Sequence, residues 1–293
     1  MVTARVPLQE TPSIEWPTVA LAAVIYGGWF GLTAWHAAIP APLVVVVLTW
    51  IIAWHGSLQH ELIHGHPTRN PWVNAAFGFV PLSLWLPYAV YAHEHAAHHA
   101  TPELTDPLAD SESNYLPRAG GLAHGLAALQ ATLAGRIAFG PPIRIAAFWI
   151  AQVRRLAHEP TAVLIEWVPH LVACALIVAW LRHAGFDLAL YAACIWAGTG
   201  LSLIRSYAEH RASPDPAART AMVLDRGPLA LLFLHNNLHA WHHAMPGVAW
   251  YDLPALHAQQ PDAFPAAPTY SGYGAVFARF FFAPHDRLVH PGA

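Results

Sequence analysis

Lysine is absent from this chain, and its 14 basic residues are all arginine. Charge of either sign is scarce as well: charged residues make up 11% of the 293, whereas hydrophobic residues make up 56%. That balance is too apolar for a soluble domain of this size and points to a membrane protein. With a formal charge of -3 and no basic stripe, the sequence excludes the electrostatic footprint of a nucleic-acid binder. Cysteine is nearly missing too. The two present, Cys174 and Cys194, lie inside apolar runs, which leaves no disulfide framework and makes both small buried side chains. Residues 1–16 contain no apolar core followed by a small-residue cleavage site and do not look like a cleaved signal peptide, so the first hydrophobic segment is expected to stay in the protein.

Apolar runs are abundant. Four, at about 17–36, 38–55, 162–181 and 186–204, approach the roughly twenty residues that carry a helix across a bilayer core. The connections near Ala37 and between Arg182 and Phe186 are long enough only for tight turns, so the runs pair as two helical hairpins. If both hairpin tips face away from the cytoplasm, every arginine except Arg182 falls on the cytoplasmic side, together with both termini. Residues 71–91 are apolar but broken by Pro81 and Pro87, and Asn74 and Ser83 would need partners in lipid. This stretch reads as interfacial or re-entrant. Residues 121–158 mix apolar faces with Arg136, Arg144, Arg154 and Arg155, as helices do on a membrane surface or packed in a cap. The predicted fold is one all-α integral-membrane domain over 1–293, with four transmembrane helices and a cytoplasmic helical cap formed by 56–160 and 205–293.

Histidine, at 21 residues, outnumbers lysine and arginine together. Just past the second span, His60-Glu61-Leu62-Ile63-His64 puts two imidazoles on one helix face. His95-Ala96-Ala97-His98-His99 and His239-Ala240-Trp241-His242-His243 both have the spacing HxxHH. One such triple is weak, but two of them with the first pair exceed coincidence. Clustered imidazoles are costly without a use, because neutral rings need partners and charged rings repel. A metal removes that conflict. The second span continued as a helix brings His60 and His64 beyond the membrane, and the fourth span continued through Arg205-Ser206-Tyr207-Ala208-Glu209 brings His210 to a similar height. Ligand type alone leaves iron, copper, zinc and nickel open. So many imidazoles are too many for one ion, and two ions are implied.

These boxes, ordered around two membrane hairpins from about Trp54 to Pro254, resemble the membrane fatty acid desaturase superfamily, whose relatives include alkane hydroxylases and carotenoid ketolases. The segments Arg205-Ser206-Tyr207-Ala208-Glu209-His210-Arg211 and His235-Asn236-Asn237-Leu238-His239 look closest to its bacterial desaturases, which leaves a small or polar-headed substrate open beside a fatty-acyl one. The resemblance implies two irons held by His60, His64, His95, His98, His99, His239, His242 and His243, with His210 matching a further family ligand. It also implies dioxygen as co-substrate, an acyl-type substrate, and electrons from an external ferredoxin, rubredoxin or b-type cytochrome with its reductase. Asp106-Pro107 and Pro246 resemble family positions too. In place of an asparagine found one turn before the additional histidine in some relatives, this chain has Ser206, and His235 is an alternative extra ligand.

Several residues call for restraint. Glu61, Glu94 and Glu209 each stand beside a box histidine and can orient a ring, move protons or merely face solvent. His55, His66 and His93 lie off the box faces and are expected not to be ligands. Glu166 and His170 are ionisable groups at membrane depth and candidates for a substrate channel. His290-Pro291-Gly292 resembles a haem loop, yet the reductant is expected to be a separate protein. Desaturation is the favoured reaction and hydroxylation of an alkyl, acyl or isoprenoid chain the alternative. A metal transporter or a membrane cytochrome would instead put its histidines near the bilayer midplane.

Overall fold

Proline and short polar turns punctuate the apolar runs. The computed structural model describes residues 14–292, so most of the N-terminal segment read above as no cleaved leader lies outside the described residues. Helix α1 (Trp16–Ala34) has Pro17 in its first turn, where no amide donor is needed, and α2 (Ala41–Ile63) begins the same way with Pro42. After α2 come two short helices, α3 (Pro71–Gly78) and α4 (Tyr88–Ala100), then α5 (Gly121–Leu129) and the long α6 (Leu133–Leu156). The second hairpin is α7 (Pro160–His183) and α8 (Leu188–Glu209). Gly185, at φ +70, makes the turn between them, and the Asp187 carboxylate caps α8 by accepting from the amides of Ala189 and Leu190. Four short helices follow: α9 (Pro228–Leu232), α10 (His239–Ala244), α11 (Leu253–Gln259) and α12 (Tyr273–Phe280). A two-stranded parallel ribbon, β1 (Met222–Val223) with β2 (Thr269–Tyr270), ties this last region together.

Among the described residues, α1, α2, α7 and α8 are the four helices long and apolar enough to cross a membrane, as expected. Their outward faces are apolar and open, with Val46 65% and Ile165 69% exposed, which suits lipid and not water. The eight residues of α3 span only about 12 Å. Residues 71–91 therefore hold no helix long enough to span a bilayer core. The helices expected over 121–158, on a membrane surface or in a cap, are α5 and α6. The latter packs along α8, where Gly140 and Gly200 let the two helices approach so closely that an added Cβ would meet Leu203 and the Ile137 carbonyl at 2.6 and 2.9 Å.

One expectation needs correction. The fourth span does not carry His210 on its helix. The helix ends at Glu209, and His210 is extended (φ -124, ψ 141) and bridged to Thr220, so its ring is aimed by the exit of the chain and not by helical register.

Candidate metal centre

Helix packing brings the histidine boxes together. The end of α2 supplies His60 and His64, α4 supplies His95, His98 and His99, the exit of α8 supplies His210, and the six-residue α10 supplies His239, His242 and His243. Among the described residues they form two groups that could hold a metal ion. In each, His60, His64, His95 and His242 or His98, His210, His239 and His243, one atom from every ring lies within 4.8 Å of the others. His99 stands where the groups meet. Its ring centroid is 4.7 Å from that of His64 and 4.6 Å from that of His95, and its Nε2 is 3.0 Å from His242 Nε2.

Which nitrogen each ring presents follows from what stands behind it. His95 Nδ1 is 2.7 Å from Glu112 Oε1, His98 Nδ1 2.7 Å from Asp110 Oδ1, His210 Nδ1 3.2 Å from the Arg219 carbonyl, and His239 Nδ1 3.0 Å from Asn236 Oδ1. All four partners are acceptors, so all four Nδ1 atoms carry the proton. In a neutral ring the Nε2 is then a bare lone pair. Two such lone pairs face each other in His239 and His210, whose Nε2 atoms are 2.9 Å apart, while His95 and His98 turn theirs toward His64 Nε2 at 2.9 Å and His243 Nε2 at 3.3 Å. Lone pairs at that range repel unless a cation lies between them. The donor set thus fits a pair of metal ions held by imidazole nitrogen and braced by carboxylates, the usual support of metal-bound histidine.

Electrostatics agrees. Burial, together with neighbouring rings, pushes His64 down to about 2, His99 to about 3 and His210 to about 4, and lowers His239, His242 and His243 well below the ordinary histidine value. Those rings are neutral and ready to coordinate at any physiological pH. At His98 burial opposes the charge, but the hydrogen bond to Asp110 outweighs it, so its pKa is raised. Glu112 is held low against its burial by its contact with His95, which donates to it.

The remaining candidates separate cleanly. His55 bonds Tyr26 at 3.1 Å within the span, and His93 is exposed. His66 is fully buried, its Nδ1 2.6 Å from Glu15 and its Nε2 3.7 Å from Glu61. His235 stacks near Trp250, and Ser206 donates to the Leu203 carbonyl. None of these joins either group. Of the three carboxylates, Glu209 reaches His239 Nδ1 at 3.4 Å while binding Arg205, Glu61 accepts from the amide of Trp250, and Glu94 touches no box ring. Glu166 pairs with Arg155, and His170 reaches the Leu84 carbonyl, so neither lines the cavity beside the cluster. Asp106 caps its own turn through the amides of Leu108 and Ala109. The residues that sequence reasoning missed are Asp110, Glu112 and Asn236. Asn236, whose amide bridges His239 Nδ1 and His60 Nε2 at 3.0 and 3.2 Å, lies three residues before box three, whereas nothing local marks Asp110 or Glu112.

The fatty acid desaturase family model matches residues 33–274, which takes in all three boxes. The chain is a fatty acid desaturase family member. No individual curated protein matches it. For this desaturase-family chain the match covers α2, the second hairpin and most of the region between and after them, leaving out nearly all of α1, and it implies an oxidoreductase in the bilayer.

Proposed function

We propose that this protein is an oxygen-dependent, membrane-bound di-iron desaturase of an acyl-type substrate. His60, His64, His95, His99 and His242 would hold one iron, and His98, His210, His239 and His243 the other. The observation that supports this most is the convergence of two groups of four imidazoles, with acceptors behind His95, His98, His210 and His239 that turn their Nε2 atoms inward. Bound iron supplies the redox step that zinc lacks, activation of dioxygen for attack on an unreactive C–H bond. The overall balance is two hydrogens from the substrate, two electrons and two protons from the donor side, and one dioxygen, giving an alkene and two waters.

The protein's own groups do the positioning. Asp110, Glu112 and Asn236 hold Nδ1 protons in place and so aim each Nε2. A cavity of about 510 Å³ beside Glu112 and Tyr91, walled by Ile52 of α2, Phe148 of α6 and Leu203 of α8, receives the substrate. The pose selects the product. If the second hydrogen lies within reach the alkene forms, and if it does not, oxygen is added instead. The whole chain acts as one domain with its termini, boxes and cap on the cytoplasmic side of a bacterial inner membrane, where a ferredoxin, rubredoxin or b-type cytochrome delivers electrons.

Mass spectrometry of lipids and metabolites from a host with and without the chain tests this reading. A product lighter by two hydrogens, absent when His242 is replaced by alanine, is expected. A product heavier by one oxygen, labelled from oxygen-18 gas, would make the protein a hydroxylase on the same centre.

A further inference from the structure

Arginine in an apolar setting is held by acids or it is waiting for one. Arg136 is 8% exposed, yet among the described residues neither it nor Arg144 forms an ion pair. Both instead donate to a single neutral acceptor, Asn114 Oδ1, with Arg136 NH1 at 2.8 Å and Arg144 NH2 on the same oxygen. Arg136 adds only a long contact to the Gln130 carbonyl at 3.4 Å and the face of Tyr207, and Arg144 Nε has no partner. Two guanidiniums thus converge on one amide oxygen without an ion pair, since the nearby carboxylates Glu112 and Asp286 are engaged by His95 and by Tyr115 and Arg211. Burial and the neighbouring guanidinium both work against the charge on Arg136.

The place of this pair gives it meaning. Arg144 and Asn114 both line the cavity beside the histidine cluster. Asn114 lies two residues, at most about 7 Å of chain, from Glu112, which holds His95, and its amide donates to the carbonyl of Ser206 at 3.4 Å, one turn before His210. The cavity is therefore two-sided. Its cationic wall adjoins the metal-ligating region and includes Arg205, which binds Glu209 and keeps one terminal nitrogen unpartnered. Its apolar wall runs down α2, α6 and α8 through Ile52, Ala147, Phe148, Ala151 and Leu203. The acids on the wall are Glu112, which is engaged by His95, and Glu94, which lies on α4 away from Asn114 in the chain.

We propose that this cavity takes an amphiphile with an oxyanion head, carboxylate or phosphate, gripped by Arg144 with Arg136 behind it, and with its tail along α6 and the spans. Resting on the di-iron reading, this places the reacting carbon a few bonds from a charged head, and not midway along a chain whose head lies outside the protein. Guanidinium suits either oxyanion because its fork donates two parallel hydrogen bonds.

The test is equilibrium binding to the iron-loaded full chain in nanodiscs, with octanoate, octyl phosphate, methyl octanoate and octylamine as probes. Octanoate or octyl phosphate should bind at least tenfold more tightly than methyl octanoate, and whichever is tighter identifies the head. Arg144→Gln should erase that preference while leaving methyl octanoate binding unchanged, and Arg144→Lys should keep part of it. Equal affinity of both anions and the ester for the unaltered protein, tighter binding of octylamine, or a preference that survives Arg144→Gln would overturn the proposal. Protein that fails to hold iron or to form product but still prefers the anion would refute the di-iron reading and support this one. Iron-loaded, active protein without the preference would refute this one alone.

Discussion

A neutral imidazole offers a metal one lone pair, and the acceptor behind the ring decides which nitrogen carries it. Asp110 does this for His98 and Glu112 for His95. Replacing Asp110 by asparagine can turn an amide N–H toward Nδ1 and leave the proton on the wrong nitrogen. Iron affinity should then fall about 10–100-fold with the fold intact, measured by competition with a chelator. Unchanged affinity would mean that Asp110 serves only its turn. His66 and His93 make a contrasting pair. His66 is locked between Glu15 and Glu61, so alanine there should destabilise the protein by about 3–5 kcal/mol, because a buried carboxylate loses its partner, without lowering iron stoichiometry in the folded fraction. Alanine at exposed His93 should change stability by less than about 0.5 kcal/mol and leave iron content alone.

At the scale of elements, the boxes can meet only if α2 and α8 end on the same side, and the orientation proposed for them can be probed at the surface. In a chain lacking Cys174 and Cys194, cysteine at Ala38 or His183, the exposed hairpin tips, should be labelled from outside the cell, and cysteine at exposed Ala217 only from the cytoplasm. Labelling of a tip and of position 217 from the same side would contradict two complete hairpins. The helices were legible because an apolar run and an i, i+4 histidine pair are local signals: α2 runs through Leu58 and His60 as its pattern requires. The brace behind the boxes was not legible. Asp110 and Glu112 sit in a turn whose meaning comes only from its docking beside α4, and His210 is aimed by a bridge to Thr220 that no periodicity announces. The pair of Arg136 and Arg144 was visible in sequence only as charge on a helix of the membrane surface or cap, since their sharing of Asn114 without an ion pair is a fact of packing.

Over the whole molecule, two properties follow from so many buried rings. Histidines whose pKa is lowered on folding bind fewer protons folded than unfolded, so their stabilisation is complete above the unfolded value of about 6.5 and drains away as pH falls toward the folded values. With His64, His99 and His210 brought to about 2, 3 and 4, that window runs from about pH 6.5 downward. His66 and His98, raised on folding, act in the opposite sense and lose their contribution as pH rises through their folded values. The lowered group is larger, so the metal-free protein should melt at a lower temperature at pH 5 than at pH 7, and a flat or reversed profile would contradict the assigned burial. The second property is stoichiometric, and elemental analysis of protein purified from iron-sufficient cells reads it most directly. About two iron atoms per chain are predicted, one for each group of converging imidazoles. Stoichiometric zinc that iron cannot replace, in protein that retains activity, would contradict the account.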